Sequence, residues 1–487
     1  MTTPRFRRPC LVLSAALLVT ASIACAQPDR SVPPRLGPPP SLRLPAIQHM
    51  TLSNGIRVLI LEKHAVPVVQ VNLVVRAGSS MDPAGKGGLS SLTAAMLTDG
   101  AGARTALQLA DAIDFLGARI GASAGQHTTG VQMNVPVARL DSALALLADV
   151  ARRPAFPPAE LERKRKERLT TLAQWHDEPT RIANVAFSRA LYGETHPYGN
   201  PAIGSEASLR SITTDDLRKF HAGYFVPANV TVIVVGDVTP AAMMPRLEGA
   251  FGAWKGKPAA PPTLHPIRQI AGTSLTLVDK PGAAQSVIMI GRVGAPRTTE
   301  DYYAIAVMNT ILGGSFSSRL NQNLRENHGY TYGASSSFDF RPLAGPFIAR
   351  ASVQTAVTDK ALGEFMNELR GILEEAPGEE VARARNYLAL GYPGDFQSVG
   401  QIAAQLEEQV IYNLPDDYFN KYIGRVLAVT KEQVRRAAQK YIVPDTLAFI
   451  VVGDRKEIEA GVNALALAPV TVRSIDDVLG PPPDPGR

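Results

Sequence analysis

The feature that most constrains this 487-residue chain is that it repeats itself. VNLVVRAG ends at Gly78 and VIMIGRVG at Gly294, 216 positions later (294 − 78). YFVPANVTVIVVGD ends at Asp237 and YIVPDTLAFIVVGD at Asp454, 217 positions later (454 − 237). Thr213 opens a T-x-x-D capping pattern ahead of a helical run, and Thr430 opens T-x-x-Q, again 217 positions on (430 − 213). Three landmarks at one spacing imply two copies of one domain, so whatever one half folds into the other must match. The expected halves are residues 46–245 and 246–473.

Each half mixes strands and helices. VVQVNLVVRAG is β-branched and alternating, as is GVQMNVPV, so both read as strands. TALQLADAIDFLGA places Leu109, Ala112, Ile113 and Leu116 at helical spacing behind a Thr105 cap. Two longer helices are predicted from about Leu140 and Pro158. Strand, helices, strands, helices, strand is the order of an α+β domain, a mixed or antiparallel sheet with helices packed on one face.

The flanks differ in kind. Residues 1–26 carry a basic RFRR, an apolar run and Ala24-Cys25-Ala26, the pattern of a cleaved export signal. A lipid anchor on Cys25 is the rival, disfavoured because Ser22 rather than Leu stands three positions earlier. The expected location is therefore outside the cytoplasm, periplasmic, with membrane attachment only if Cys25 is lipidated. Residues 27–45 are proline-rich and predicted to be a flexible arm, and 474–487 a disordered tail. Of the formal net charge of +6, three units sit on Arg5, Arg7 and Arg8 inside the signal, and no basic run elsewhere suggests nucleic acid. The two cysteines, Cys10 and Cys25, also lie there, so the exported part has no disulfide and no thiol nucleophile.

Four stretches carry a family likeness: LSNGIRVLILEKHAVPVVQVNLVVRAGS, LYGETHPYGNPAIGS, FHAGYFVPANVTVIVVGDV and LGGSFSSRLNQNLRENHGYTYGASSSF. Together, over about Leu52 to Val472, they resemble the insulinase (pitrilysin-like) zinc peptidases in their bacterial two-domain form. Active members carry H-x-x-E-H on the first helix of the first domain. Its two histidines share a zinc ion on one helical face, its glutamate activates the bound water, and a later glutamate completes the ligand set. Aligned on Gly88-Leu89, those five positions here read Ser91-Leu-Thr-Ala-Ala95. The ligand histidines become Ser91 and Ala95, the base becomes Ala94, and the third ligand, counted back from His-Asp-Glu-Pro179, becomes Thr171. No two of the eight histidines lie closer than His49 and His64, so no local His-x-x-x-His pair replaces the motif. No metal is expected in this chain; the resemblance puts the zinc in a partner.

The second half keeps a different feature. In the family an Arg, and a Tyr seven residues on, face the zinc across the substrate channel, and LRENHGYTY supplies Arg325 and Tyr332. The resemblance makes them catalytic: a permanent bidentate donor for a substrate carbonyl, and a hydroxyl for the oxyanion. Without it they read as a surface Arg and a Tyr filling a sheet face. Gly313 and Gly314 in LGGSFSSRL are open between substrate contact, or a hinge, and a plain helix stop. Gly121-Ala-Ser-Ala-Gly125 matches G-x-S-x-G, but a strand pattern follows where a nucleophile elbow needs a helix. The implied function is the non-catalytic subunit of an exported heterodimeric metallopeptidase, active only beside a homologous zinc-bearing partner. The alternative is an inert structural or peptide-binding scaffold.

Overall fold

The computed structural model describes Gly37 and residues 41–264 and 266–484. The export signal with Cys10 and Cys25, most of the proline-rich arm, His265 and the last three residues lie outside the described residues.

Two six-stranded sheets form the frame. The first holds β1 (Gln48–Thr51), β2 (Arg57–Glu62), β3 (Val68–Val75), β4 (Arg119–Ala124), β5 (Thr129–Pro136) and β6 (Val230–Gly236), in the order β1-β2-β6-β3-β5-β4. The second holds β7 (Ser274–Asp279), β8 (Gln285–Val293), β9 (Thr331–Phe338), β10 (Pro346–Gln354), β11 (Ala448–Gly453) and β12 (Val470–Arg473), in the order β12-β7-β11-β8-β10-β9. Each is mixed: β2 runs parallel to β6 and β7 to β11, while β3 and β8 are antiparallel to their neighbours. Five strands of one sheet thus have counterparts in the other, as the repeat requires. The sixth position is filled differently: β1 enters from the N-terminal side antiparallel to β2, and β12 returns from the C-terminal side parallel to β7. The predicted caps form at both repeat positions. Thr213 pairs with Asp216 and Thr430 with Gln433 in reciprocal capping boxes.

Each half lays its own helices on one face of its sheet, and the other half covers the opposite face. The helix Pro179–Tyr192 of the first half packs Ile182, Val185 and Phe187 against Val278, Met289, Ile450 and Val452 of the second sheet. Reciprocally, the helix Val399–Tyr412 of the second half joins Leu406 and Val410 to Leu59, Leu61, Val74, Ile233 and Val235 of the first sheet. This exchange explains why β3 is buried on both faces from Val69 on although its composition alternates. Its two polar residues have partners under the exchanged helix. Asn72 donates to Glu407 at 2.7 Å and Gln70 donates to Asn72 at 2.6 Å. Burial pushes the Glu407 carboxyl up, against the lowering effect of its hydrogen bonds from Asn72 and Gln132, so the seam between the halves holds a hydrogen-bonded polar patch.

The segment expected to be a disordered tail is folded through Asp484. Ser474 and Asp477 cap a short helix, Ile475–Leu479, whose Val478 is buried against the helix Pro179–Tyr192. Composition alone does not reveal this, because Val478, with Ile475 and Leu479 packed beside it, lands on an apolar surface that the first half supplies.

Candidate functional site

The helix Leu89–Met96 carries the positions where the family has its metal ligands. It starts at Gly88, whose φ of +93° needs glycine, and a Cβ there would lie 2.5 Å from the Ile203 carbonyl oxygen. Asp82 caps it from outside, accepting from the Gly88 and Ser90 amides at 2.8 Å each. Burial pushes the Asp82 carboxyl up to about 6, against the lowering effect of those hydrogen bonds and of the Arg168 charge. Ser91 donates to the Ala202 carbonyl at 2.6 Å, Ala94 is buried, and Ala95 is half-buried. Thr171, on the helix Pro158–Trp175, turns its hydroxyl back to the Glu167 carbonyl at 3.0 Å.

What the sequence did not disclose is Arg168. It lies one turn before Thr171, and its Nη1 donates to Ser91 Oγ at 2.8 Å and approaches the Gly88 and Ile203 carbonyls at 3.3 and 3.4 Å. Burial lowers its pKa to about 10, so it stays a cation at neutral pH. These residues do not fit a zinc ion. Two alanines offer no donor, both hydroxyls are engaged, and a guanidinium stands against the first ligand position. Among the described residues no group of three His, Cys, Asp or Glu side chains is placed to hold a metal. The signal for Arg168 was available only as spacing, three residues before Thr171 on a helix, in a run where charged residues read as a solvated face.

The second half builds a separate surface around β9. The helix Tyr302–Leu312 stops at Gly313, whose carbonyl accepts from the Ser336 amide of β9 at 3.0 Å. A Cβ at Gly313 would come within 2.2 Å of that amide nitrogen, and one at Gly314 within 2.8 Å of Asn309 Nδ2, so both glycines are set by close approach. The loop they start projects Phe316, 64% exposed. Arg325 lies in a wide turn, Gln322–Asn327, wound with π-helical rather than α-helical bonding. Its guanidinium stacks on Phe316 at 4.5 Å from the ring centre and pairs with Glu326 at 3.4 Å. Gly329, at φ +65°, closes the turn by donating to the Arg325 carbonyl at 3.0 Å. The chain then enters β9, where Thr331 faces Val353 but Ala334 faces Ala351, so Tyr332 and Gly333 together oppose Ser352. This β-bulge re-aims the side chain of Tyr332, which is 90% exposed at the free edge of the second sheet. Gly313, Gly314, Arg325 and Tyr332 thus gather around one strand, with Phe316 as a member that reading the loop for its glycines had overlooked.

The G-x-S-x-G stretch falls on β4, where Ser123 is exposed, and the chain turns into β5 rather than a helix. His127 bonds to Tyr198 instead of to a serine.

The profile described as Insulinase (Peptidase family M16) matches residues 57–205, and that described as Peptidase M16 inactive domain matches residues 211–388. An uncharacterized zinc protease of Mycobacterium leprae is 30% identical over 343 residues, 70% of this chain and 76% of that protein. One of Rickettsia bellii is 25% identical over 77% of this chain and 88% of its own length. Among solved structures, a peptidase M16 inactive domain from Pseudomonas fluorescens superposes with a TM-score of 0.79 at 27% identity, covering 84% of this chain and 98% of that one. The first half of the periplasmic protease PqqL from Escherichia coli shares the fold at a TM-score of 0.71 and 16% identity, over 89% of this chain and all of that one.

Proposed function

We propose, on the premise that this chain belongs to the insulinase family, peptidase family M16, that it is the non-catalytic subunit of an exported heterodimeric metallopeptidase. A homologous subunit supplies the zinc and the water-activating base. This chain supplies Arg325 and Tyr332, which bind the peptide and stabilise the oxyanion, with Gly313 and Gly314 shaping the loop beside them. Relatives carrying the name zinc protease support peptide hydrolysis as the activity of the assembly. The N-terminal signal pattern supports action outside the cytoplasm.

One observation carries the reading: a chain whose metal positions are filled by Ser91, Ala94, Ala95, Thr171 and a guanidinium still displays an exposed Arg–Phe platform and a bulge-aimed Tyr at a sheet edge. Such a surface costs apolar exposure in an isolated monomer and has no packing role. The free edge of β9 also leaves main-chain groups with which an extended peptide can pair.

Reconstitution tests the proposal. This chain is combined with a homologue that carries H-x-x-E-H, and peptide cleavage is followed with and without Arg325→Ala and Tyr332→Phe. Loss of one oxyanion donor costs about 2.7–4 kcal/mol of barrier, or roughly 10²–10³ in kcat. Equal rates for both variants and the parent would instead favour the inert scaffold.

A further inference from the structure

One cavity lies beside the first of these surfaces and shares Asp82 and Gly88 with it. It has a volume of about 570 Å³ and lies between Trp175, Leu172, the Gly87–Gly88 turn and the loop that carries Pro197 and Asn200. None of Arg325, Tyr332, Gly313 or Gly314 lines it, and neither do Ser91, Ala94, Ala95 or Thr171. Its remaining wall is the C-terminal segment of this same chain, through Leu479, Pro481 and Pro483.

The way that segment is held is informative. Arg189 donates to the carbonyl of Val478, and Arg210 donates to the carbonyl of Asp484 at 2.8 Å. His176 stands 3.7 Å from Asp476. The two arginine contacts are to main-chain oxygens, so they do not depend on the side chains of the tail. Between them Pro481 and Pro482 are exposed while Pro483 is buried. The proline run is pre-set in an extended conformation and loses little freedom on docking, and aromatic-lined grooves are the usual receptors for such segments. The tail covers the cavity without filling it, and the space left is within the range of ligand pockets, about 300–1,000 Å³.

We infer that this cavity is a binding site for an extended, proline-containing peptide segment, and that residues 480–484 occupy its mouth in cis as a displaceable strap. Arg210 grips the main chain of the strap at Asp484, Arg189 holds the preceding helix at Val478, and Trp175 supplies the apolar wall. A tethered strap has an effective concentration near millimolar, so an incoming segment must bind better than the strap does or be presented by an assembled partner. The inference stands apart from the proposed subunit role, since neither Arg325 nor Tyr332 lines the cavity.

The chain has two tryptophans, Trp175 and Trp254, so Trp254→Phe leaves Trp175 as the sole tryptophan, selectively excited at the red edge of the absorption band. In that background the full chain is compared with a version ending at Leu479, which retains the anchored helix and Val478. The probe is the peptide LGPPPDPGR, residues 479–487 of this chain. Truncation is expected to shift Trp175 emission to the red. The peptide should reverse the shift saturably, with a midpoint no weaker than about 5 mM, and the full chain should need at least roughly tenfold more peptide. Arg210→Ala in the truncated chain should weaken the peptide by about fivefold or more while circular dichroism stays unchanged. Unchanged emission on truncation, no saturation, or equal binding by the full and truncated chains would each overturn the inference.

Discussion

The placement of Arg168 can be tested by trying to rebuild what it displaces. Ser91→His, Ala95→His and Thr171→Glu restore three ligands on the two helices that would present them. With those ligands in place the remaining obstacle is the guanidinium, whose Nη1 now lies 2.8 Å from Ser91 Oγ. A zinc ion bound there would sit on the order of 4 Å from it. A single pair of unit charges at that distance repels by about 4 kcal/mol at an effective dielectric near 20, so the divalent ion meets roughly 8 kcal/mol, over five powers of ten in affinity. Swinging Arg168 toward solvent would relieve part of this at the cost of its contacts with the Gly88 and Ile203 carbonyls, the bond to Ser91 having gone with Ser91→His. The triple variant is therefore expected to bind zinc at least a thousandfold more weakly than the quadruple variant that also carries Arg168→Leu. Competition with a chromogenic chelator at pH 7.5 measures both, with thermal melts to establish that each is folded. Affinities within tenfold of each other would refute the electrostatic exclusion. Absence of binding by the quadruple variant would refute the assignment of the ligand positions.

Three further outcomes are expected. Phe187→Ala, in the helix that the first half lends to the second sheet, should cost about 3–5 kcal/mol in urea unfolding; a loss below about 1 kcal/mol would mean that the exchange does not hold the halves together. Gly313→Ala places a Cβ against the Ser336 amide and should cost about 1–3 kcal/mol, with the Phe316 loop displaced from β9 as seen by hydrogen exchange. Asp82 has a folded pKa of about 6 against an ordinary 3.8, so between those values the folded protein holds the proton that the unfolded chain releases. Its contribution is full below pH 3.8 and lost as pH rises through 6, and Asp82→Asn should remove at most about 3 kcal/mol of that pH dependence in unfolding titrations; identical pH profiles for the two proteins would contradict it.

Much of this protein was legible from its sequence because the governing signals are local or periodic. The repeat, the β-branched strands, the T-x-x-D and T-x-x-Q caps and the alanines on the first helix are properties of neighbours in the chain, and each determined its own structure or its own loss of chemistry. Tertiary structure alone decided which residues meet across long separations. It laid the helix around Phe187 on the other half's sheet, brought Arg168 against Ser91, stacked Arg325 on Phe316, inserted the bulge at Tyr332 and fastened the proline-rich end beneath Arg189 and Arg210. A guanidinium on a helix has the same sequence signature whether it faces water or fills a vacated site. The difference lies in the surfaces that other segments bring to it, and no local pattern encodes those.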